Sequence, residues 1–172
     1  MSIPAFVTIV VVSFLLMEPI TAATHRWVMH GIGEWFHRSH HRPGRKPRWE
    51  RNDWFPVFFA AIVMSGLWLG FNRDGWAALV PMAVGVTLYG IAYALVHDGF
   101  IHRRIDPFGD RRNAYLDHVA ASHRIHHLYN SAPYGMLVPV VPAELREQAA
   151  RTERDPFAEV QSATNSAVPG PV

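Results

Sequence analysis

The chain has 172 residues, 49% of them apolar and 17% charged, with a formal net charge of +2 and no cysteine. That length corresponds to one domain. The missing cysteines exclude a thiolate-ligated haem and a conventional all-cysteine iron–sulfur cluster within the chain.

Three stretches are nearly free of charge: Ile3 to Thr24, broken only by Glu18, then Phe55 to Phe71, then Trp76 to Val96. Each reaches the roughly 17 to 25 residues that span a bilayer. A secretory signal peptide is the rival reading of the first stretch. No Lys or Arg precedes it, however, and cleavage near Ala23 would leave His25 beside the new terminus, so a retained anchor is expected. Arg26, Arg38, Arg42, Arg45, Lys46, Arg48 and Arg51 crowd the next segment. Because they flank apolar spans, lipid headgroups rather than nucleic acid are their expected partner. By the positive-inside rule this segment faces the cytoplasm from the cell membrane. Pro43, Gly44 and Pro47 end any helix begun at Trp35. The second and third spans are joined by a turn at Asn72-Arg-Asp-Gly75. Ala132 to Ala143 is apolar but short and broken by Pro133, Pro139 and Pro142, so it reads as an interfacial or re-entrant piece, a candidate lid. Glu144 to Arg154 reads as a short polar helix, and residues 155–172 as a disordered tail. The expected fold is all-α: an integral membrane helical bundle of about three spans with a cytoplasmic histidine-rich cap, its membrane domain covering residues 1–154.

Ten of the eleven histidines fall in a pattern stated twice. His25 and His30 are followed by His37, His40 and His41; His97 and His102 are followed by His123, His126 and His127. On a helix, positions i, i+3 and i+4 share a face, so each triplet is expected to converge on a point, which implies two metal ions. The i, i+5 pairs lie roughly 140° apart on a straight α-helix, which leaves each pair free to serve two different metals. Gly31, Gly33 and Gly99 would let the backbone bend there. Imidazole donors suit Fe, Zn, Cu and Ni. A tag-like or surface histidine tract is the bland alternative. A duplicated constellation on both sides of an apolar hairpin is hard to reach by chance, and the two intervening spans return both sets to one side of the membrane. His118 stands outside the pattern.

Other motifs weigh less. Gly31 and Gly33 lack the third glycine and preceding strand of a dinucleotide site, so any reductant must come from a partner. Glu34 and His37 form one Glu-x-x-His without the second copy that a carboxylate-bridged four-helix site needs. Glu18 is ionisable inside a span and two turns before His25, which makes it a candidate for backing the metal site or handling protons. Tyr89, Tyr93 and His97 share a face and are candidates, with Asp98, for lining a substrate channel or backing the ligands.

His25-Arg-Trp-Val-Met-His30-Gly, His37-Arg-Ser-His40-His41, Asn52-Asp53, Tyr89-Gly90 with Tyr93, His97-Asp98-Gly99 with His102, and His123-Arg-Ile-His126-His127 together resemble the bacterial β-carotene 3-hydroxylases of the fatty acid hydroxylase/sterol desaturase superfamily. The resemblance runs from about Glu18 to Pro142. It implies a non-haem di-iron monooxygenase whose ten patterned histidines carry two irons. Such an enzyme uses O2 and two electrons, supplied by a ferredoxin and its reductase, to hydroxylate C3 of carotenoid β-rings, converting β-carotene to β-cryptoxanthin and then zeaxanthin. The alternatives are a lipid or sterol hydroxylase or desaturase with the same core, and a non-enzymatic membrane haem or metal-binding protein.

Overall fold

A computed structural model describes residues 1–44, 46–105, 107–109 and 111–158. Among these the regular structure is all helical, with no strand. Helix α1 (Ile3–Ala23) opens with Ser2, whose hydroxyl accepts from the Ala5 amide, and runs without a break into a π-helical segment, Thr24–Ile32. A short α2 (Glu34–His37) follows. The proline-containing stretch after it has no regular structure until a 3₁₀ turn at Arg51–Asp53, which starts α3 (Trp54–Asn72). Helix α4 (Leu79–Ala94) begins later than Trp76, with Pro81 in its first turn, where a missing amide costs no helical hydrogen bond. It continues into a second π-helical segment, Leu95–Ile101.

These three long helices are apolar enough to cross a membrane, at mean hydropathies of 2.2, 1.8 and 1.9, and the protein is a membrane protein. Helix α4 packs against both α1 and α3. The α1–α4 approach is so close at Gly85 that a Cβ there would sit 2.4 Å from the Val10 carbonyl oxygen, so only glycine fits. No residue of α3 is buried, which leaves its apolar surface to lipid.

Helix α5 (Ala114–Tyr129) is capped at its start by Asn113, which accepts from Leu116 N–H, and at its end by Asn130 in the left-handed conformation, φ 52°. The compact core lies at the histidine end: Val96, Phe100, Ile101, Leu116, Val119, Met136 and Phe157. The segment from Ala132 to Pro142 forms no helix, and α6 (Ala143–Ala150) follows it, starting one residue before the short polar helix expected over Glu144 to Arg154 and ending four residues sooner. Most of the expected disordered tail, from residue 159, lies outside the described residues. Its first part is folded, since Phe157 is buried among the histidines.

Candidate metal centre

The two π-helical segments are what bring the histidine pairs to one place. In each, backbone bonds run from i+5 to i: Gly33 N–H to Val28 O at 2.7 Å, and His102 N–H to His97 O at 2.9 Å. This looser winding brings residues five apart nearly into register. His25 and His30 therefore belong to one group, and His97 and His102 to another. On an α-helix each i, i+5 pair would be free to serve two different metals; here the π winding keeps each pair within one group.

The first group is His25, His30, His37, His41 and His126; the second is His40, His97, His102 and His123. His127 completes the set, its Nε2 lying 3.2 Å from that of His40 and 3.0 Å from that of His123. The triplets do not each converge on a single point. His37 and His41, four apart, go to the first group and His40 to the second; His126 and His123 divide likewise. Each triplet instead lies between the groups, and His41 and His127 stack at 4.4 Å where the two meet. His118 is exposed and belongs to neither.

The donor set fits metal cations. Five imidazoles donate Nδ1–H to oxygen: His25 to the Tyr134 carbonyl, His37 to Asn52 Oδ1, His40 to Glu50, His97 to Asp98, and His126 to the Ser131 carbonyl. That tautomer leaves a lone pair on each Nε2. Among these five, His25 and His37 face each other through Nε2 at 3.0 Å, and His40 and His97 at 3.0 Å; the Nε2 of His126 faces that of His41 at 3.1 Å, and the Nε2 of His102 that of His123 at 3.1 Å. Lone pairs so arranged in a buried space repel unless a cation sits among them. Protonation does not relieve this, because burial pushes His37 down to about 3 and His41 to about 2. Burial, then the neighbouring imidazoles, holds His40, His102, His123, His126 and His127 well below the usual range. Neutral imidazole is the ligating form, and ten nitrogen donors without a thiolate suit Fe, Zn, Cu or Ni.

Around the cluster runs a polar frame that sequence reasoning missed in part. Arg104 grips Asp53 with two bonds of 2.8 and 2.7 Å and reaches Asp98 at 3.3 Å and the Arg48 carbonyl at 2.9 Å. Glu50, whose carboxyl burial pushes upward, accepts from His40 at 2.9 Å, and Lys46 Nζ, lowered to about 8 by burial, donates to the His40 carbonyl. The dense polar run from Glu50 to Asp53, just before a span, is the signal that marked this frame. Phe157 closes the second group, its ring 5.0 to 6.2 Å from those of His102, His123 and His127.

Glu18, inside α1, meets four donors. Its carboxylate accepts from the Tyr89 hydroxyl at 2.6 Å and from the amides of Met136, Leu137 and Val138 at 2.9, 3.0 and 2.9 Å. It thus ties the segment after α5 to α1, and Gly135 passes so close that a Cβ would lie 2.7 Å from Glu18 Oε1. Tyr89 is buried edge-on against Phe14, while the Tyr93 ring lies 5.1 Å from that of His97. Asp98 accepts from His97, and Glu34 pairs at the surface with Arg38.

Residues 10–142 match the family described as fatty acid hydroxylase. The chain is 39% identical to a β-carotene hydroxylase of Pseudescherichia vulneris over 80% of this chain and 79% of that one. It is 40% identical to a β-carotene hydroxylase of Pantoea ananas over 69% of this chain and 66% of the relative. It is 38% identical to the chloroplastic β-carotene hydroxylase 1 of Capsicum annuum over 76% of this chain but 42% of the longer plant protein. No solved structure matches. A helical membrane scaffold, two convergent histidine groups and these relatives agree: the chain belongs to the fatty acid hydroxylase family and is an oxygenase enzyme.

Proposed function

We propose that the chain is a carotenoid β-ring hydroxylase holding two irons, one among His25, His30, His37, His41 and His126 and the other among His40, His97, His102 and His123, with His127 beside the second. The observation that carries this is the pair of all-nitrogen groups at one end of a three-span membrane domain; the names of the relatives point to the substrate. Bound iron would supply reductive activation of O2 for insertion into a C–H bond, with two electrons from an external donor such as ferredoxin and its reductase.

The chain's own residues orient and shield that centre. Glu50, Asp98, Asn52 and the carbonyls of Tyr134 and Ser131 fix five imidazole rings with Nε2 inward. Phe157 keeps water from the second group. The basic residues after α1 support a cytoplasmic position for the histidine end under the positive-inside rule. A carotenoid is a rod of roughly bilayer length and lies along the spans with one ring at the histidine end, the other remote from it. One site therefore acts twice, and a mono-hydroxylated product precedes the diol.

Expression in cells that make β-carotene tests this: β-cryptoxanthin should appear first and zeaxanthin should follow. Untouched β-carotene with hydroxylated or desaturated acyl chains or sterols would overturn the carotenoid reading in favour of a lipid substrate.

A further inference from the structure

The two histidine groups are backed by different chemistry. In the second, His40 donates to the Glu50 carboxylate at 2.9 Å and His97 to the Asp98 carboxylate at 3.0 Å. In the first, the acceptors behind His25, His126 and His37 are two backbone carbonyls and the Asn52 amide oxygen. A carboxylate accepting from Nδ1–H makes the opposite nitrogen a stronger donor to a cation than a neutral oxygen does. The surrounding cations offset this charge only in part. Arg104 binds Asp53 and lies 3.3 Å from Asp98 and 3.8 Å from Glu50, and Lys46 is spent on the carbonyls of His40 and Arg42. Glu50, Asp53 and Asp98 thus outnumber Arg104 and Lys46 by one charge behind His40 and His97. The first group has no carboxylate among the acceptors of its imidazole Nδ1 atoms in the described residues.

We propose that the two metal positions are unequal: the one among His40, His97, His102 and His123 binds its metal more tightly, fills first and empties last, because Glu50 and Asp98 stand behind its ligands. This rests on the two-iron reading above. Glu50 and Asp98 are positioning residues here, acting through the imidazoles they orient, and Arg104 holds Asp98 against His97.

The test uses full-length protein in detergent, reloaded anaerobically with ferrous iron and challenged with a ferrous chelator. The parent should lose two irons in two phases of equal amplitude. Glu50→Gln and Asp98→Asn keep the hydrogen bond and remove the charge; each should quicken the slow phase tenfold or more and leave the fast phase unchanged, in line with the roughly 10- to 100-fold effect of altering such partners. Asn52→Asp places a carboxylate behind His37 and should slow the fast phase instead. Mössbauer spectra at one 57Fe per chain should show one ferrous doublet, with a second appearing on further loading. Two irons leaving in a single phase, or carboxylate variants that quicken only the fast phase, would overturn the inequality while the two-iron reading stands. Fewer than two irons at saturation would overturn both.

Discussion

Replacing Glu18 by Ala removes one acceptor from four donors at once: the Tyr89 hydroxyl and the amides of Met136, Leu137 and Val138. A hydrogen bond to a charged group contributes about 1.5–3 kcal/mol. The Val138 amide is exposed and turns to water at little cost, and those of Met136 and Leu137 are partly buried, so part of their loss is recovered. A net cost of about 3 kcal/mol is expected from the three that count. The effect is local first, because Met136 in the core and the Tyr115 hydroxyl on the Leu137 carbonyl still hold the segment elsewhere. Hydrogen exchange of the peptide covering residues 136–138, followed by mass spectrometry in detergent, reads it directly. A loss of about 3 kcal/mol in the local opening energy accelerates exchange roughly 100-fold. Glu18→Gln keeps one oxygen but turns an amide NH2 toward the donors, so it should fall between the parent and Glu18→Ala. Because the same segment carries the Tyr134 carbonyl that fixes His25, the variant should also loosen the first histidine group. Unchanged exchange over residues 136–138 in Glu18→Ala would refute the idea that this carboxylate anchors the segment.

His40→Ala and His102→Ala should abolish hydroxylation and lower bound iron measured by elemental analysis, whereas the exposed His118→Ala should retain both. Phe157→Ala opens the cover over His102, His123 and His127; by analogy with core Phe truncations it should cost about 3 kcal/mol in unfolding free energy and hasten iron loss. Metal-free protein should lose stability on acidification. His37 and His41 take up protons near pH 3 and 2 when folded but near the ordinary 6.5 when unfolded, so below about pH 6.5 the unfolded chain binds more protons and is favoured. Thermal melts of the metal-free protein between pH 7.5 and 5 check this, and a melting temperature that rises on acidification would contradict it.

The spans, the helical class and the separation of His118 from the other ten histidines were legible because each depends on local composition and spacing. Charge-free stretches of bilayer length admit few other folds, and a pattern repeated on both sides of two spans has to meet on one side. The partition of the histidines was not legible, because it turns on winding. His25 and His30 point apart on an α-helix and together on a π-helix, and nothing in Arg26-Trp-Val-Met29 announces which forms. Glu18 was legible as an exceptional residue but not in its partners, since Met136 to Val138 present backbone amides, which every residue carries. Arg104 hid among many arginines, and only the approach of Asp53 from a distant segment singles it out. Phe157 was hidden by a low-complexity neighbourhood that resembles a tail.

The π winding also makes the site sensitive to one kind of mutation and tolerant of another. Trp27 and Val28 are exposed, so the residues between His25 and His30 at those positions can change identity freely as long as their number holds. Inserting one more residue would put the pair six apart, roughly 120° from each other around an α-helix, removing a ligand without altering any histidine, whereas a pair brought to four apart would still share an α-helical face. The same holds between His97 and His102, where Gly99 also lies against Pro107 and cannot easily be replaced by a bulky residue. Chain length between paired histidines is thus a functional property of this protein in its own right, and single-residue insertions there should be as damaging as loss of a histidine.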